Sequence, residues 1–582
     1  MKYRFYIALF ISFFGCLQVN GQKYNLIIES DERIPEDIIK SYQNFKGDST
    51  AIYSKLETII LSLQNKGFIA ASIDQMQFDS VYVYANLYRG QKFYWGKLDL
   101  SNLNLTILNR INSKENSNQP INLDALKRIK KAVLSYYENN GYPFAKVVLH
   151  NQEIQDSLFN VTVDVDKGDY YLLDSIIVKG DAKISKNYLY RTLKVNPEMV
   201  FNQKQINAIS KSISDVSFLS EIKPAEIEFK QQQKVDLYLY LQNKKANMFN
   251  GIIGFLPDNE TTGKLLITGE LNLNLVNSFG KGEEIFLNWE KLESSTQQLD
   301  VSLMYPYLFR TNLGLDTDFG LYKKDTTFLS LNAGLGLRWF LTYDDYIKLY
   351  YRYKNSSRIG NEKSTNILVN YADVKSNILG ALYYVNALDY KYNPRKGVEF
   401  NVFGGAGFKR ISNSNALDDG LNLNADNKTV EIEAGIELNV YYPIYRNFVF
   451  HFGNTTRYLD QFVDEDKEAV LFENELYRFG GANSLRGFDE SIFYASVYSI
   501  QNAEVRYLFE QNSAFYIFWN GAYYYKNVTQ VVTEDFPWGF GLGMNFQTKA
   551  GIFSLSYALG KQFDNPIEIR TAKIHFGYIS RF

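Results

Sequence analysis

Alternation of apolar and polar residues in the C-terminal half constrains the fold of this chain more than any other feature. From about residue 247 to residue 582, one segment after another repeats with a period of two, as in Tyr346–Lys354, Glu431–Tyr442 and Gly551–Gly560. A period of two places successive side chains on opposite faces of a β-strand. One face of these segments is apolar, and the other carries full charges such as Arg352 and Glu433. The pattern predicts strands whose two faces meet very different surroundings.

The same segments favour a barrel in a membrane. After the N-terminus, no stretch approaches the roughly 18 consecutive apolar residues of a membrane-spanning helix, and a bilayer otherwise admits only a closed β-barrel. Charges on the polar face and aromatic residues at the strand ends favour such a barrel, and a large soluble sandwich is the alternative. We therefore predict that residues 246–582 form an all-β transmembrane barrel of about 16 antiparallel strands, an even number as in bacterial barrels.

A repeat of about 75 residues organises the N-terminal part. The segment Asn65–Ala70 recurs as Asn139–Ala145, and Arg89–Tyr94 recurs as Lys167–Tyr171. An amphipathic helix precedes the first segment of each copy, and two alternating strands follow it. Together with a looser third copy, the repeat predicts three small α+β domains at residues 22–97, 98–172 and 173–245.

Helix caps and an open sheet edge complete these predicted domains. Asn122 is predicted to cap the helix of the second copy, and Asn202 that of the third. The two strands after each helix leave one edge of a small sheet exposed. Such an edge can bind extended client segments by β-augmentation, or the domains can be a spacer that only holds the barrel. The sequence leaves both interpretations open.

The N-terminus has the layout of a secretory signal peptide, residues 1–21. A basic start at Met1–Arg4 precedes the apolar run Phe5–Gly15, and small residues lie before a cleavage position after Gly21. Lipoprotein processing with acylation of Cys16 is the alternative, but the residues before this cysteine fit it poorly. Because the chain contains a single cysteine, cleavage after Gly21 would leave an exported protein that needs no disulfide.

Charge and residue usage argue against several classes of function. The chain has 62 Lys and Arg against 64 Asp and Glu, a net charge of −2, so we expect no nucleic-acid partner. With 3 His and a single Cys, we expect no metal or thiol site. Phosphate-binding loops, His-Glu-x-x-His and Gly-x-Ser-x-Gly are absent from the sequence. We therefore predict a protein that is not an enzyme and needs no cofactor.

The run Arg478–Phe488 closely resembles the signature loop of outer-membrane assembly factors of the BamA/TamA type. It consists of Arg-Phe-Gly-Gly-Ala-Asn-Ser-Leu-Arg-Gly-Phe. Asp389–Gly397 is similar to the mid-barrel Asn-Pro turn of that family, and Gly539–Lys561 to its penultimate hairpin. The C-terminal residues resemble the insertion signal of the family, which here comprises Phe576, Tyr578 and Phe582. The repeats resemble periplasmic POTRA domains. The resemblance implies an outer-membrane barrel with POTRA-like domains in the periplasm, and three such domains match TamA best.

The resemblance also implies that the long connection at about residues 459–490 folds into the barrel lumen. Its Arg486, followed by Gly487 and Phe488, would need a partner there because a confined charge is costly. Glu504 lies on the inward face of its predicted strand and is the candidate carboxylate, although it could simply line the lumen. Asn520 stands where the family has a second lumenal acid, so we expect one ion pair and one neutral hydrogen bond.

Closure of the predicted barrel pairs its first strand, about Phe249–Leu256, with its last, about Ala572–Phe582. We expect the glycines of these strands, Gly251, Gly254 and Gly577, to weaken the pairing. A weak seam with an exposed edge could act as a lateral gate. Alternatively, the glycines only relieve crowding at a tilted wall.

The resemblance implies a protein that receives clients on its POTRA-like domains and inserts them through the seam. The expected partners are the outer-membrane lipid bilayer, unfolded β-barrel or autotransporter-like clients, and periplasmic or inner-membrane assembly proteins. The alternative is a translocator of the two-partner secretion type, which exports an unfolded exoprotein through the barrel. Such translocators usually have two POTRA domains and a plug helix, whereas the strand-like run Tyr24–Glu29 directly follows the predicted cleavage site. A passive porin would not need the repeats.

Overall fold

The computed structural model describes residues 22–111, 118–257, 265–291, 296–359, 370–390, 393–412, 428–462, 470–528, 531–548 and 551–581. The predicted signal peptide with Cys16, and also Phe582, lie outside the described residues. Within these ranges, no helix is both long and apolar enough to cross a membrane. The chain divides into two compact units, one with the first two small sheets and the other with the barrel and most of the third sheet.

Three small sheets precede the barrel, and each unit follows the order strand, helix, helix, strand, strand, with one additional two-residue strand between the helices of the first. The first contains β1 (Tyr24–Glu29), α1 (Glu36–Tyr42), a two-residue β2 (Lys46–Gly47), α2 (Ser49–Gln64), β3 (Ser72–Phe78) and β4 (Tyr82–Tyr88). The second contains β5 (Tyr94–Asp99), α3 (Leu105–Ile111), α4 (Leu123–Glu138), β6 (Lys146–Gln155) and β7 (Leu158–Asp166). The third contains β8 (Leu172–Lys179), α5 (Lys186–Thr192), α6 (Gln203–Asp215), β9 (Leu219–Lys230) and β10 (Lys234–Asn243). Each unit thus has one strand and one short helix more than the repeat pattern predicts, and the first also has the two-residue β2.

The repeated sequence segments are the ends of the long helices. Gly67 follows α2 with φ +98°, and Gly141 follows α4 with φ +95°. This left-handed conformation is the usual helix C-terminus and favours glycine. A Cβ on Gly67 would also lie 2.6 Å from the carbonyl oxygen of Phe93. Asn122 caps α4 by accepting a hydrogen bond from the backbone N–H of Ala125 at 3.0 Å.

The strand order of the sheets shows which edges are open. In every sheet the last strand lies centrally beside the first strand, and the orders are β2-β1-β4-β3, β5-β7-β6 and β8-β10-β9. The strands β3, β6 and β9 are therefore edge strands. The expected boundary at residues 97 and 98 is wrong, because β5 pairs over Tyr94–Asp99 with β7 and belongs wholly to the second sheet.

A closed antiparallel barrel follows. Its first strands are β11 (Met248–Pro257), β12 (Leu265–Val276), β13 (Glu284–Lys291), β14 (Gln297–Tyr305), β15 (Leu313–Lys324), β16 (Phe328–Phe340), β17 (Tyr346–Arg358), β18 (Asp373–Asn386), β19 (Gly397–Ser412), β20 (Lys428–Tyr445) and β21 (Phe448–Phe462). The short strands β22 (Tyr477–Phe479) and β23 (Phe493–Ala495) pair with each other outside the wall. The wall continues with β24 (Val497–Glu510), β25 (Ser513–Val528), β26 (Val531–Asp535), β27 (Trp538–Gln547), β28 (Ile552–Lys561) and β29 (Lys573–Arg581).

Sixteen strands build the wall within the described residues. Both β26 and β27 pair with β25, the former along its end and the latter along its beginning, so they are two segments of one strand. The predicted fold class is confirmed. The alternation has the expected physical basis, because outward side chains such as Leu349 are well exposed, at 62%, while the inward Glu433 is 0% exposed.

Mostly short turns join the strands at the end of the barrel where the chain enters β11 from β10, and mostly longer connections join them at the other end. The longest of these joins β21 to β24. Because β21 continues to Phe462 and β24 begins at Val497, this connection occupies residues 463–496 and not 459–490 as expected. We call its described part, residues 470–496, the lumenal loop. Its buried side chains pack on β24 and β25, where Leu485 and Phe479 belong to one cluster with Ile500 and Tyr524.

Candidate functional site: lumenal loop and barrel seam

Arg486 lies at the tip of the lumenal loop and contacts two neighbouring strands. Its Nη2 donates to Oε1 of Glu504 on β24 at 2.7 Å and to Oδ1 of Asn502 at 2.7 Å. Its Nε donates to Oδ1 of Asn520 on β25 at 2.8 Å. The guanidinium group also lies 3.6 Å from the ring centre of Phe518. The structure thus brings together the predicted residues Arg486, Glu504 and Asn520, with one ion pair and neutral hydrogen bonds to two asparagines.

Glu504 has neighbours that the sequence did not connect to it. His451 on β21 places Nδ1 at 3.4 Å from Oε2 of Glu504, and Arg506 places Nε at 3.8 Å from the same atom. Asn502 donates to Oε1 of Glu504 at 3.2 Å. Inward parity identifies Asn502 and Arg506, but only the register of β21 against β24, with His451 opposite Glu504, identifies His451.

Glycines allow the loop tip to approach the barrel wall closely. Gly487 has φ +98°, and a Cβ on it would lie 2.8 Å from the carbonyl carbon of Leu559 on β28. A Cβ on Gly539 would lie 2.3 Å from the carbonyl oxygen of Arg486. Larger residues would push the tip away from the wall. The next residue, Phe488, is buried and packs edge-on against Phe493 at 5.1 Å.

A second set of contacts holds the beginning of the lumenal loop and was not predicted. Glu473 accepts hydrogen bonds from Lys526 at 2.8 Å and from the hydroxyl group of Tyr371 at 3.1 Å. Asn474 donates to Oγ of Ser356 on β17 at 2.7 Å and to the carbonyl oxygen of Ala372 at 2.8 Å. These partners come from strands far apart around the wall, so this part of the loop braces the lumen.

An ion pair between Lys409 on β19 and Glu475 completes this second set of contacts, which we call the brace. Lys409 is 0% exposed, and its Nζ bonds to Oε2 of Glu475, to Oε1 of Gln461 at 3.1 Å and to the carbonyl oxygen of Val470 at 3.0 Å. Burial raises the pKa of the Glu475 carboxyl to about 7, and the ammonium group of Lys409 opposes that rise. The run Glu473–Glu475 inside a lumenal loop is a sequence signal that could have indicated these partners.

We expect Lys409→Met to destabilise the barrel by about 3–5 kcal/mol, because it leaves the buried Glu475 without its cation. The double variant Lys409→Met/Glu475→Leu should recover part of that loss, since an apolar pair of similar volume removes both charges. Lys396→Met, at an exposed turn, is the matched control. Urea midpoints from heat-modifiable gel mobility, with protease cleavage inside residues 470–496, measure the effects. Equal stability of Lys409→Met and the control would contradict the brace.

The seam between the first and last strands is the shortest ladder of the wall. In the described residues, β11 and β29 pair only through Met248 with Arg581 and Phe249 with Ser580. By comparison, β11 pairs with β12 over its whole length from Met248 to Pro257, and β29 pairs with β28 from Lys573 to Ile579. Most of the length of both seam strands is thus without a ladder partner on the seam side.

The three predicted seam glycines do not lie in this ladder. Gly251 and Gly254 pair with β12, and Gly577 pairs with Ser554 on β28. The ladder ends before it reaches them, so their role in weakening the seam pairing stays a prediction. Of the predicted C-terminal signal, Phe576 is exposed on the outer face, and the ring of Tyr578 lies 4.7 Å from that of Phe553.

Comparison with protein families agrees with this architecture. A family model described as the Omp85 superfamily domain matches residues 277–582, and a POTRA model described as a surface antigen variable number repeat matches residues 105–168. The outer membrane protein assembly factor BamA of Nitratidesulfovibrio vulgaris is 19% identical over 386 residues, which are 65% of this chain and 46% of the relative. BamA of Buchnera aphidicola is 22% identical over 206 residues, 35% of this chain and 32% of the relative. The chain thus spans less than half the length of both.

Two solved structures are similar. CdiB from Escherichia coli has a TM-score of 0.51 at 14% identity, with coverage of 92% of this chain and 98% of that one. BamA from Haemophilus ducreyi lacking POTRA domains 1–3 has a TM-score of 0.48 at 15% identity, with coverage of 84% and 100%. At these identities the likeness to CdiB concerns the fold alone. Because the family model covers just over half of the chain, the protein belongs to the Omp85 superfamily as a BamA/TamA-type outer-membrane barrel with periplasmic N-terminal POTRA domains.

Proposed function

We propose that this protein inserts β-barrel or autotransporter-like clients into the outer membrane through the seam between β11 and β29. The observation that carries the proposal is the two-pair ladder between these strands. The activity needs no covalent chemistry and no cofactor. Its partners would be the lipid bilayer, the unfolded clients and periplasmic or inner-membrane assembly proteins.

The seam supports the proposal because its opening breaks few hydrogen bonds. A net contribution of about 0.5–1.5 kcal/mol for each bond makes a two-pair ladder much easier to open than the full-length ladders beside it. Once open, the edges of β11 and β29 can pair with an incoming strand, as edge strands do. Growth of the client from this edge would satisfy its backbone groups inside the bilayer.

The small domains offer edges that can bind clients before their insertion. The edge strands β3, β6 and β9 present unpaired backbone groups, which can bind an extended client segment by β-augmentation. Edge binding of this kind is independent of client sequence. It would suit a protein that handles many unfolded clients, and a plain spacer would not need it.

Reconstitution of the full-length protein in liposomes tests the proposal. An unfolded barrel client is added outside, and its folded, membrane-inserted form is measured by heat-modifiable mobility and protease protection. We expect insertion well above that in empty liposomes and in liposomes that contain the heat-denatured protein.

The same vesicles test the alternative, export of an unfolded exoprotein through the lumen. An unfolded soluble exoprotein replaces the barrel client, and its protease-protected accumulation inside the vesicles is measured. Accumulation of the exoprotein without insertion of the barrel client would contradict the proposed role and favour a translocator. Insertion without accumulation supports the proposal.

A further inference from the structure

A basic pocket lies at the periplasmic end of the barrel, beside the first strand. It has a volume of 460 Å³, within the usual range of ligand sites. Three stretches form it, namely the chain around Lys183, the connection at residues 243–247 before β11, and the turn at residues 276–280 after β12. Lys183, Lys244 and Lys245 line it together with the aromatic residues Phe218 and Phe279. No acidic residue is among its lining residues.

Hydrogen bonds to backbone groups hold the pocket walls together. Asn277 donates through Nδ2 to the carbonyl oxygen of Lys183 at 2.9 Å. The backbone N–H of Lys244 donates to the carbonyl oxygen of Phe218 at 2.9 Å. Asn247 accepts from the backbone N–H of Val276 at 2.9 Å. These bonds link all three stretches, so the lysines are presented from fixed backbone positions.

The three lysines have charges that the protein does not neutralise. All three side chains are exposed, and among the residues that the structure describes, none of their ammonium groups forms an ion pair or hydrogen bond. Two carboxylates close in the sequence bind backbone groups instead, since Asp181 accepts from the backbone of Asn243 and Glu283 from the backbone of Lys281. Three uncompensated positive charges around one cavity favour an anion that can bridge them.

The surroundings place that anion at a lipid surface. Phe279, which lines the pocket, is 71% exposed, and Phe249 on the adjoining first barrel strand is 42% exposed. Exposed aromatic residues at a barrel rim mark the level of the lipid headgroups. Lysines at that level attract anionic headgroups, while the aromatic rings contact the acyl chains. A free phosphate would use the lysines but would gain nothing from Phe279.

We propose that this pocket binds the phosphate-bearing headgroup of an anionic phospholipid in the periplasmic leaflet. The bound lipid would lie next to the seam, because Asn247 directly precedes Met248, which pairs with Arg581 of the last strand. This is a lipid site on the barrel rim and is separate from the proposed binding of protein clients.

Lipid retention by the full-length protein tests the site. The protein is purified in detergent, incubated with phosphatidylglycerol or phosphatidylcholine, and examined by native mass spectrometry. We expect preferential retention of phosphatidylglycerol. Lys183→Gln/Lys244→Gln/Lys245→Gln should weaken this retention on the order of tenfold or more, and added salt should weaken it in the unchanged protein. Heat-modifiable mobility verifies that each variant is folded.

The triple variant Lys186→Gln/Lys204→Gln/Lys211→Gln is the matched control, because these three lysines are exposed on the third domain and do not line the pocket. It should retain phosphatidylglycerol like the unchanged protein. Equal retention of both lipids, or equal loss in both triple variants, would overturn the proposal. Soluble glycerol 3-phosphate that binds as tightly as the lipid would also overturn it, since the site would then recognise a free phosphate.

Discussion

A disulfide across the seam should abolish client insertion, and reduction should restore it. Phe249 and Ser580 are direct partners in the ladder between β11 and β29, and facing residues of an antiparallel pair lie about 4.5–5.5 Å apart between Cα atoms, within disulfide reach. The double variant Phe249→Cys/Ser580→Cys therefore locks the two strands together. If client strands enter between them, the oxidised protein cannot act. Liposome insertion with and without dithiothreitol measures the effect.

The control for this experiment locks a ladder that does not need to open. A Cβ on Gly577 would lie 3.5 Å from Cβ of Ser554 on the adjacent β28, a distance suited to a disulfide. Oxidised Ser554→Cys/Gly577→Cys should keep its activity. The single native cysteine, Cys16, lies in the predicted signal peptide and would not interfere after its cleavage. An efficiently locked seam with normal insertion would refute lateral opening.

Arg486→Ala should lower the stability of the barrel by about 3 kcal/mol and reduce client insertion. The change removes the guanidinium group whose Nη2 lies 2.7 Å from Oε1 of the buried Glu504. It also removes the hydrogen bonds that this group donates to Asn502 and Asn520. Loss of one partner of a buried pair costs about 3–5 kcal/mol. We expect the lower end, because His451 stays 3.4 Å from Glu504. Urea midpoints and liposome insertion are the measurements.

A double-mutant cycle separates this contact from general damage to the loop. Glu504→Gln is combined with Arg486→Ala, and a coupling of about 0.5–3 kcal/mol is expected for residues in direct contact. Arg486→Lys keeps the charge but loses the forked geometry of the guanidinium group. Its stability should therefore lie between that of the unchanged protein and that of Arg486→Ala. Additive effects of the two single changes would show that Arg486 acts without Glu504.

The lumenal loop is attached to the barrel wall at two places, one at its tip and one at its beginning. The tip binds β24 and β25 and lies against β27 and β28, near the last strands. The beginning of the loop binds Lys526 on β25, and it also binds β17, β19 and the segment before β18, on a distant part of the wall. One connection therefore links the seam side of the barrel to its far side. Variants at Lys409 and Arg486 test the two attachments separately.

Local sequence patterns determined the fold class and much of the candidate site. The period of two assigns each residue to the lumen or the lipid, because successive side chains of a strand point to opposite faces. That parity identifies Glu504, Asn502 and Arg506 as lumenal. The glycines after α2 and α4 likewise mark the first two repeated domains, since helices commonly end in a left-handed residue.

Tertiary structure alone decided which strands and side chains meet. Parity names a face but not a partner, so the pairing of Lys409 with Glu475 and of His451 with Glu504 depends on register and closure around the whole wall. The length of the seam depends on the same closure, and parity alone could not show that the ladder ends before Gly251, Gly254 and Gly577. The placement of β5 in the second sheet follows from its parallel pairing with β7, across more than 50 residues of intervening chain. Contacts between distant segments are set by packing of the complete fold, which a local pattern does not contain.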